Sequence, residues 1–263
     1  MIKDINHIIH EGLKCRLDGL LDCEQTFRFI LYEILSIGCA YIIGGFVRDV
    51  INDKDNRDLD IIVDIQPDEL KCIVDNYCCE KYCNRMGGVK LKFQHIEVDI
   101  WSIHDNWAFA NALVKLNDND KLLSIAKGCF FNYDALVVSV PKFMYNIRYY
   151  NEFVTNNELD IIQKQSIYQS KNPTVEANII RAIYIKKNYG IHFSNNLREY
   201  MYKEMLSLQD KYGNALQKLM SVKEQYPKYH LISENDIKET LKELYTGPSF
   251  SLFDENEKNT FFL

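Results

Sequence analysis

Long apolar runs are missing from this chain: no window reaches the about 18 consecutive apolar residues of a membrane span. No early stretch joins a basic start to an apolar run of about 7–15 residues, which speaks against a secretory signal. A cytoplasmic protein with no membrane partner is the expectation. Paired C-x2-C units are missing as well. Eight cysteines are present, and Cys72, Cys78, Cys79 and Cys83 crowd together, but their spacing is not that of a zinc ribbon or finger. Reduced, partly buried thiols are expected. Positive charge is scarce overall: the net charge is −6, which argues against an extended nucleic-acid surface. Internal repeats and low-complexity tracts do not occur.

What is there is an ordinary globular balance, 47% hydrophobic and 26% charged over 263 residues, enough for one large domain or two modest ones. The charge is uneven. From Lys164 to Lys223 ten basic residues stand against four acidic ones, an excess of six. Such a stretch either presents a modest positive face to a polyanion or is a solvated helical surface.

The chain is organised around Tyr41 to Asp64. Tyr41 to Ile43 is a short β-favouring run ending on Gly44-Gly45, which tolerate positive φ and close approach of a ligand. Apolar residues at Phe46, Val47, Val50 and Ile51 have the spacing of one buried helical face. Strand, glycine turn and helix form a possible phosphate cradle, with free N–H groups and the helix dipole at one point. Leu59 to Ile65 then reads as a strand with Asp58 and Asp60 at its entrance. Residues two apart on a strand share a face, roughly 6.6 Å apart at the backbone. Two carboxylates so placed suit Mg²⁺.

Elsewhere the pattern gives helix over residues 1–38, closed by Gly38, and a helix opened by Pro67-Asp68-Glu69 that runs to about Tyr77. Val89 to Trp101 alternates over two adjacent strands, with Ile96, Val98 and Ile100 on one face and Glu97, Asp99 and Trp101 on the other. Ala135 to Val140 reads as a further strand. Helices follow at about 194–208, 210–226 and 233–246, punctuated by Gly213, Pro227 and Gly247-Pro248. The last residues carry Phe250, Phe253, Phe261 and Phe262 among acids, and either dock, self-associate or stay loose.

Gly44, Gly45, Val47, Arg48 and Asp49, then eight residues, then Asp58 and Asp60, resemble the head domain of class II CCA-adding enzymes and bacterial poly(A) polymerases. These belong to the DNA polymerase β nucleotidyltransferase superfamily. The resemblance covers residues 41–100, returns faintly at 127–140, and is clear again where Ile179 to Phe193, IIRAIYIKKNYGIHF, is similar to the family's ILRAIRFAARLGF helix. It implies an α/β (α+β) nucleotidyltransferase head with a small mixed sheet over residues 1–155, and an all-helical neck and body over residues 156–263. It also implies NTP as substrate and two Mg²⁺ ions held by Asp58, Asp60 and a third carboxylate, with Asp99 the choice and Glu97 the reserve. By the same resemblance Gly44 and Gly45 cradle phosphates and Arg181 matches the helix's internal arginine. Arg48 either contacts the triphosphate or braces Asp49 or Asp58.

Two departures stand out. Where the family has approximately RRDFTINAL this chain has KGCFFNYDAL from Lys127 to Leu136, and the family's base-selecting Asp and Arg have no counterpart in residues 173–178. The implied activity is template-independent transfer of a nucleoside monophosphate to a hydroxyl. The acceptor is an RNA 3′ end reached through the basic C-terminal helices, or else a protein or small-molecule hydroxyl. A silent nucleotide-binding scaffold is the remaining reading.

Overall fold

The computed structural model describes residues 4–56, 58–83, 87–163 and 174–246. The chain divides into two compact units, Met1–Thr155 and Asn156–Leu263. Four of the residues discussed above, Phe250, Phe253, Phe261 and Phe262, lie outside the described residues, as do Lys164 and Lys171.

The first unit opens with α1 (Ile5–His7), a π-helical turn over Ile8–Leu13, and α2 (Lys14–Cys23). The single helix expected over residues 1–38 is divided at Glu24, where φ is −114° and ψ 75°, before α3 (Gln25–Ile37) begins. The break has a partner: the buried Glu24 carboxylate accepts the His95 backbone N–H at 2.7 Å and meets its ring Nδ1 at 2.8 Å. Gly38 ends α3 in extended backbone. A Cβ there would stand 2.3 Å from Ile65 Cγ2, so close packing rather than turn geometry requires the glycine.

A seven-stranded mixed sheet follows. Its strands are β1 (Ala40–Ile43), β2 (Asp58–Val63), β3 (Glu80–Cys83), β4 (Val89–Lys92), β5 (Glu97–Ser102), β6 (Val137–Val140) and β7 (Tyr145–Asn146). They lie in the order β3-β4-β5-β2-β1-β6-β7. Between β1 and β2 sits α4 (Gly45–Ile51), and α5 (Pro67–Asp75) follows β2 with a reciprocal cap between Gln66 and Glu69. The short helices α6 (Trp107–Ala110) and α7 (Lys121–Lys127) precede β6, and α8 (Arg148–Asn156) follows β7.

Among the described strands of this sheet only β2 and β5 pair in parallel; β1 is antiparallel to both β2 and β6. β3 had no signal in the sequence because all four of its residues are exposed and carry no apolar alternation. Three of the cysteines around it, Cys72, Cys78 and Cys83, are exposed rather than partly buried, whereas Cys79 is partly buried.

Alternation gives the sheet two unlike faces. Ile42, Leu59, Ile61, Val63, Val98 and Ile100 are at most 1% exposed on one. Each such side chain contributes roughly 1.5–3 kcal/mol on burial. The other face carries Asp58, Asp60, Glu97 and Asp99, none of them fully buried. The fold anchors an acidic face on an apolar one.

In the second unit, α9 (Val175–Tyr189) stops at Gly190 with φ 62°. α10 (Asn195–Tyr212) starts on a Ser194 cap and runs four residues past the expected end, to Gly213 at φ 74°. α11 (Ala215–Lys223) and α12 (Glu234–Thr246) complete the bundle. Ile179, Ile183, Leu197, Met201, Leu219 and Ile237 form its core. The region is not wholly helical: β8 (Glu158–Leu159) and β9 (His192–Phe193) pair in parallel. No helix among the described residues is long and apolar enough to cross a membrane.

Candidate active site

Strand register puts the acids together. In the parallel pair of β2 and β5, Asp58 lies opposite Glu97 and Asp60 opposite Asp99. Residues opposite each other point to the same face, about 4.8 Å apart across the strands. The sequence patterns gave Asp58 with Asp60 and Glu97 with Asp99; register makes one group of four. On the far side of Asp60 stands Ile43, the last residue of β1, so the acids adjoin the Gly44–Gly45 turn.

That turn is held by its backbone. Gly44 has φ 64° and ψ −115°, a conformation closed to residues with a Cβ, and its N–H donates to the Leu136 carbonyl at 2.9 Å. Its carbonyl accepts the Arg48 N–H at 3.1 Å, which starts α4. The N–H of Gly44 is therefore already engaged. Amides with no acceptor within the helix begin at Gly45. A Cβ on Gly45 would stand 3.8 Å from Asp58 Oδ1, so the carboxylate lies against the start of α4.

Arg48 belongs to this turn rather than to open solvent. Its Nη1 is 3.3 Å from Asp134 Oδ1, its Nε 3.7 Å from Asp49 Oδ1, and its guanidinium lies 4.1 Å from the centre of the Tyr133 ring. Both partners from the 132–134 turn come from the segment that departs from the family's motif. Asp134, standing where the family has asparagine, supplies the charge that fixes Arg48. Phe131 is buried beneath, edge-on to Phe130 at 4.8 Å. Arg181 lies in the middle of α9, in the other unit.

The residue that sequence reading missed is Lys90. β4 pairs with β5 so that Lys90 lies opposite Asp99. Its Nζ is 2.9 Å from Asp99 Oδ2 and 3.2 Å from Glu97 Oε2. Alternation in Val89-Lys90-Leu91-Lys92 shows that Lys90 leaves the core, but not which strand it faces. Burial holds the Asp99 carboxyl above its usual range despite Lys90, and the charges of Asp58 and Glu97 add to the rise. Burial works to lower Lys90, and the hydrogen bonds and charges of Asp99 and Glu97 outweigh it, so its pKa is raised.

A divalent ion would meet two kinds of carboxylate here. Asp58 and Asp60 form the pair of hard oxygen donors that Mg²⁺ takes together with substrate phosphate and water. Asp99 is engaged by an ammonium group. Among the described residues, no three His, Cys, Asp or Glu side chains are gathered as a ready-made metal cage.

Part of the basic stretch of the second unit is matched by acids. Lys186 pairs with Glu243 and Lys187 with Asp236, while Lys203 lies 2.6 Å from Glu199 and Lys218 4.0 Å from Glu176. Two of these acids come from α12, beyond the stretch whose charge looked positive.

Comparison with known proteins fits this geometry. Residues 40–119 match the poly A polymerase head domain. A CCA-adding enzyme in complex with ATP superposes with a TM-score of 0.63 at 13% identity, over 92% of this chain and 55% of that one. The Thermotoga maritima CCA-adding enzyme complexed with tRNA gives 0.61 at 14% identity, over 92% and 54%. A tRNA nucleotidyltransferase with a primer tRNA and an incoming ATP analog gives 0.56 at 15% identity, over 88% and 64%. No curated protein matches by sequence. The chain spans between half and two thirds of the length of these solved structures. Over residues 40–119 the first unit matches the poly A polymerase head domain, and the chain's fold resembles that of the CCA-adding enzymes.

Proposed function

We propose, from a head unit of the poly(A) polymerase and CCA-adding type, that this chain transfers a nucleoside monophosphate from an NTP to a hydroxyl, most simply an RNA 3′ end. The observation that carries the reading is the placing of Asp58 and Asp60 on one sheet face beside the Gly44–Gly45 turn, with Asp99 opposite Asp60. Asp58 and Asp60 hold Mg²⁺ against the triphosphate. The bound ion supplies charge neutralisation at the α-phosphate and on departing pyrophosphate, worth several kcal/mol of barrier.

The start of α4, from Gly45 onward, offers N–H groups and its dipole to the terminal phosphates. Arg48, tied to Asp134 and stacked on Tyr133, keeps that turn in place. Asp99 lies on the acceptor side of the pair and takes the proton as the hydroxyl oxygen bonds to the α-phosphorus. The bond from that phosphorus to the bridging oxygen breaks, and pyrophosphate leaves.

A second acceptor class is favoured by one observation. Lys186, Lys187 and Lys203 of the second unit are paired with carboxylates, and paired charge attracts a polyanion weakly. A protein or small-molecule hydroxyl fits that surface as well. Incubating the protein with each labelled NTP, Mg²⁺ and total RNA decides between them. Label in RNA is the expected result. Label on protein or on a small acceptor from an extract selects the second class, and NTP binding without pyrophosphate release from any acceptor overturns the enzyme reading.

A further inference from the structure

We infer that Lys90 takes the place of a second metal ion: its ammonium is the fixed cation on the Asp99 side, and the head holds one divalent ion, on Asp58 and Asp60. The inference rests on the nucleotidyltransferase reading and departs from the two-ion scheme that the resemblance implies.

Three strands carry the argument. Asp60 on β2, Asp99 on β5 and Lys90 on β4 are successive cross-strand partners, so they form one row on one face. Lys90 reaches Asp99 Oδ2 of that row at 2.9 Å and, at 3.2 Å, Oε2 of Glu97 in the neighbouring row with Asp58. Both are charge-assisted contacts, and Asp99, with a side chain only 15% exposed, has little water to replace the lysine. A divalent ion taking Asp99 Oδ2 would have to displace the ammonium, and one on Oδ1 would sit beside a like charge.

A second divalent ion would compete with the Lys90 ammonium for the oxygens of Asp99 and Glu97. Lys90 is thus a positioning residue: it holds Asp99 toward the acceptor side without a metal between them. The placement follows from β4 pairing beside β5, and no contact with the second unit enters it.

Counting bound Mn²⁺ in the full chain tests this, by electron paramagnetic resonance of the free ion with a non-hydrolysable ATP analogue present. The wild type should bind one Mn²⁺ per chain, and Lys90→Arg, which keeps the charge, should also bind one. Lys90→Met should gain a second site, or tighten it about tenfold or more, the equilibrium equivalent of losing a charge-assisted hydrogen bond. Asp58→Asn with Asp60→Asn should remove the first ion from both backgrounds.

Two equivalent Mn²⁺ ions in the wild type overturn the inference and leave the enzyme reading standing, and this result does not depend on any variant folding. Equal binding by Lys90→Met and wild type overturns it as well. Mn²⁺ binding that is unchanged when Asp58 and Asp60 are both replaced overturns the reading beneath it too.

Discussion

Lysine meets carboxylate differently in the two units. On the head sheet, four acids crowd adjacent strands and Lys90 draws two of them to itself. In the helical unit Lys186, Lys187, Lys203 and Lys218 each have a carboxylate of their own. Spread one to one at a surface, such pairs contribute about 0–1 kcal/mol each and are screened by salt. Gathered on one half-buried face, like charges cost free energy until a cation arrives. The first arrangement concentrates negative charge that a cation would relieve, and the second disperses charge over a surface.

The largest effect that would break this contrast comes from replacing Asp58 and Asp60 together by Asn. NTP turnover should fall by roughly a thousandfold or more, the loss of several kcal/mol of metal stabilisation. Circular dichroism and the thermal midpoint should remain, because the change relieves repulsion rather than packing. Retained turnover would remove both residues from the site.

Arg48→Met comes next, since it leaves Asp134 part-buried without its guanidinium. A loss of about 2 kcal/mol is expected, read as a fall in the thermal midpoint of several degrees. Adding Asp134→Leu should restore part of the loss, and a strictly additive double variant would show that the pair does not interact.

Gly44→Ala should cost about 1–3 kcal/mol from backbone strain alone. Its Cβ would meet the Asp134 carbonyl oxygen at an ordinary 3.6 Å, so a loss well beyond that range would point to a clash instead.

The smallest effects belong to the helical unit. Ser233 and Asp236 cap α12 reciprocally: Ser233 donates through N–H and hydroxyl to Asp236 at 2.7 Å each, and accepts the Asp236 N–H at 3.1 Å. Ser233→Ala should cost about 1 kcal/mol and leave NTP transfer unchanged. Lys187, and then Ser233, hold the Asp236 pKa down to about 2. A folded-state value below the unfolded value of about 3.9 means that the stabilisation is complete above the latter and is lost as pH falls toward 2. Asp236→Asn should flatten acid unfolding in that window. An unchanged acid limb would deny the carboxylate its role.

Much of the fold was legible because its signals are local. Gly44-Gly45 before Phe46 and Val47 marked a turn and a helix, and Ile96, Val98 and Ile100 marked the inward face of β5. The α3 break was hidden, since Glu24 leaves the helix for His95, a residue far along the chain. β3 was hidden because an exposed edge strand carries no apolar rhythm. The Lys127 to Leu136 segment departs from the family's motif, and only the fold sets its Asp134 and Tyr133 against Arg48. Two partners of the basic stretch, Glu243 and Asp236, lie beyond the window in which charge was counted.

By itself the sequence determined which residues turn inward and which outward on each strand, and that two aspartates stand beside a glycine turn. Those properties follow from side-chain periodicity and from backbone freedom at single positions. Only the tertiary structure decided that Asp60 faces Asp99, that Lys90 lies on the other side of Asp99, and that Asp134 reaches Arg48. Strand register and long-range ion pairs join residues whose separation along the chain leaves no periodic trace, because the free energy that selects them comes from packing the whole sheet.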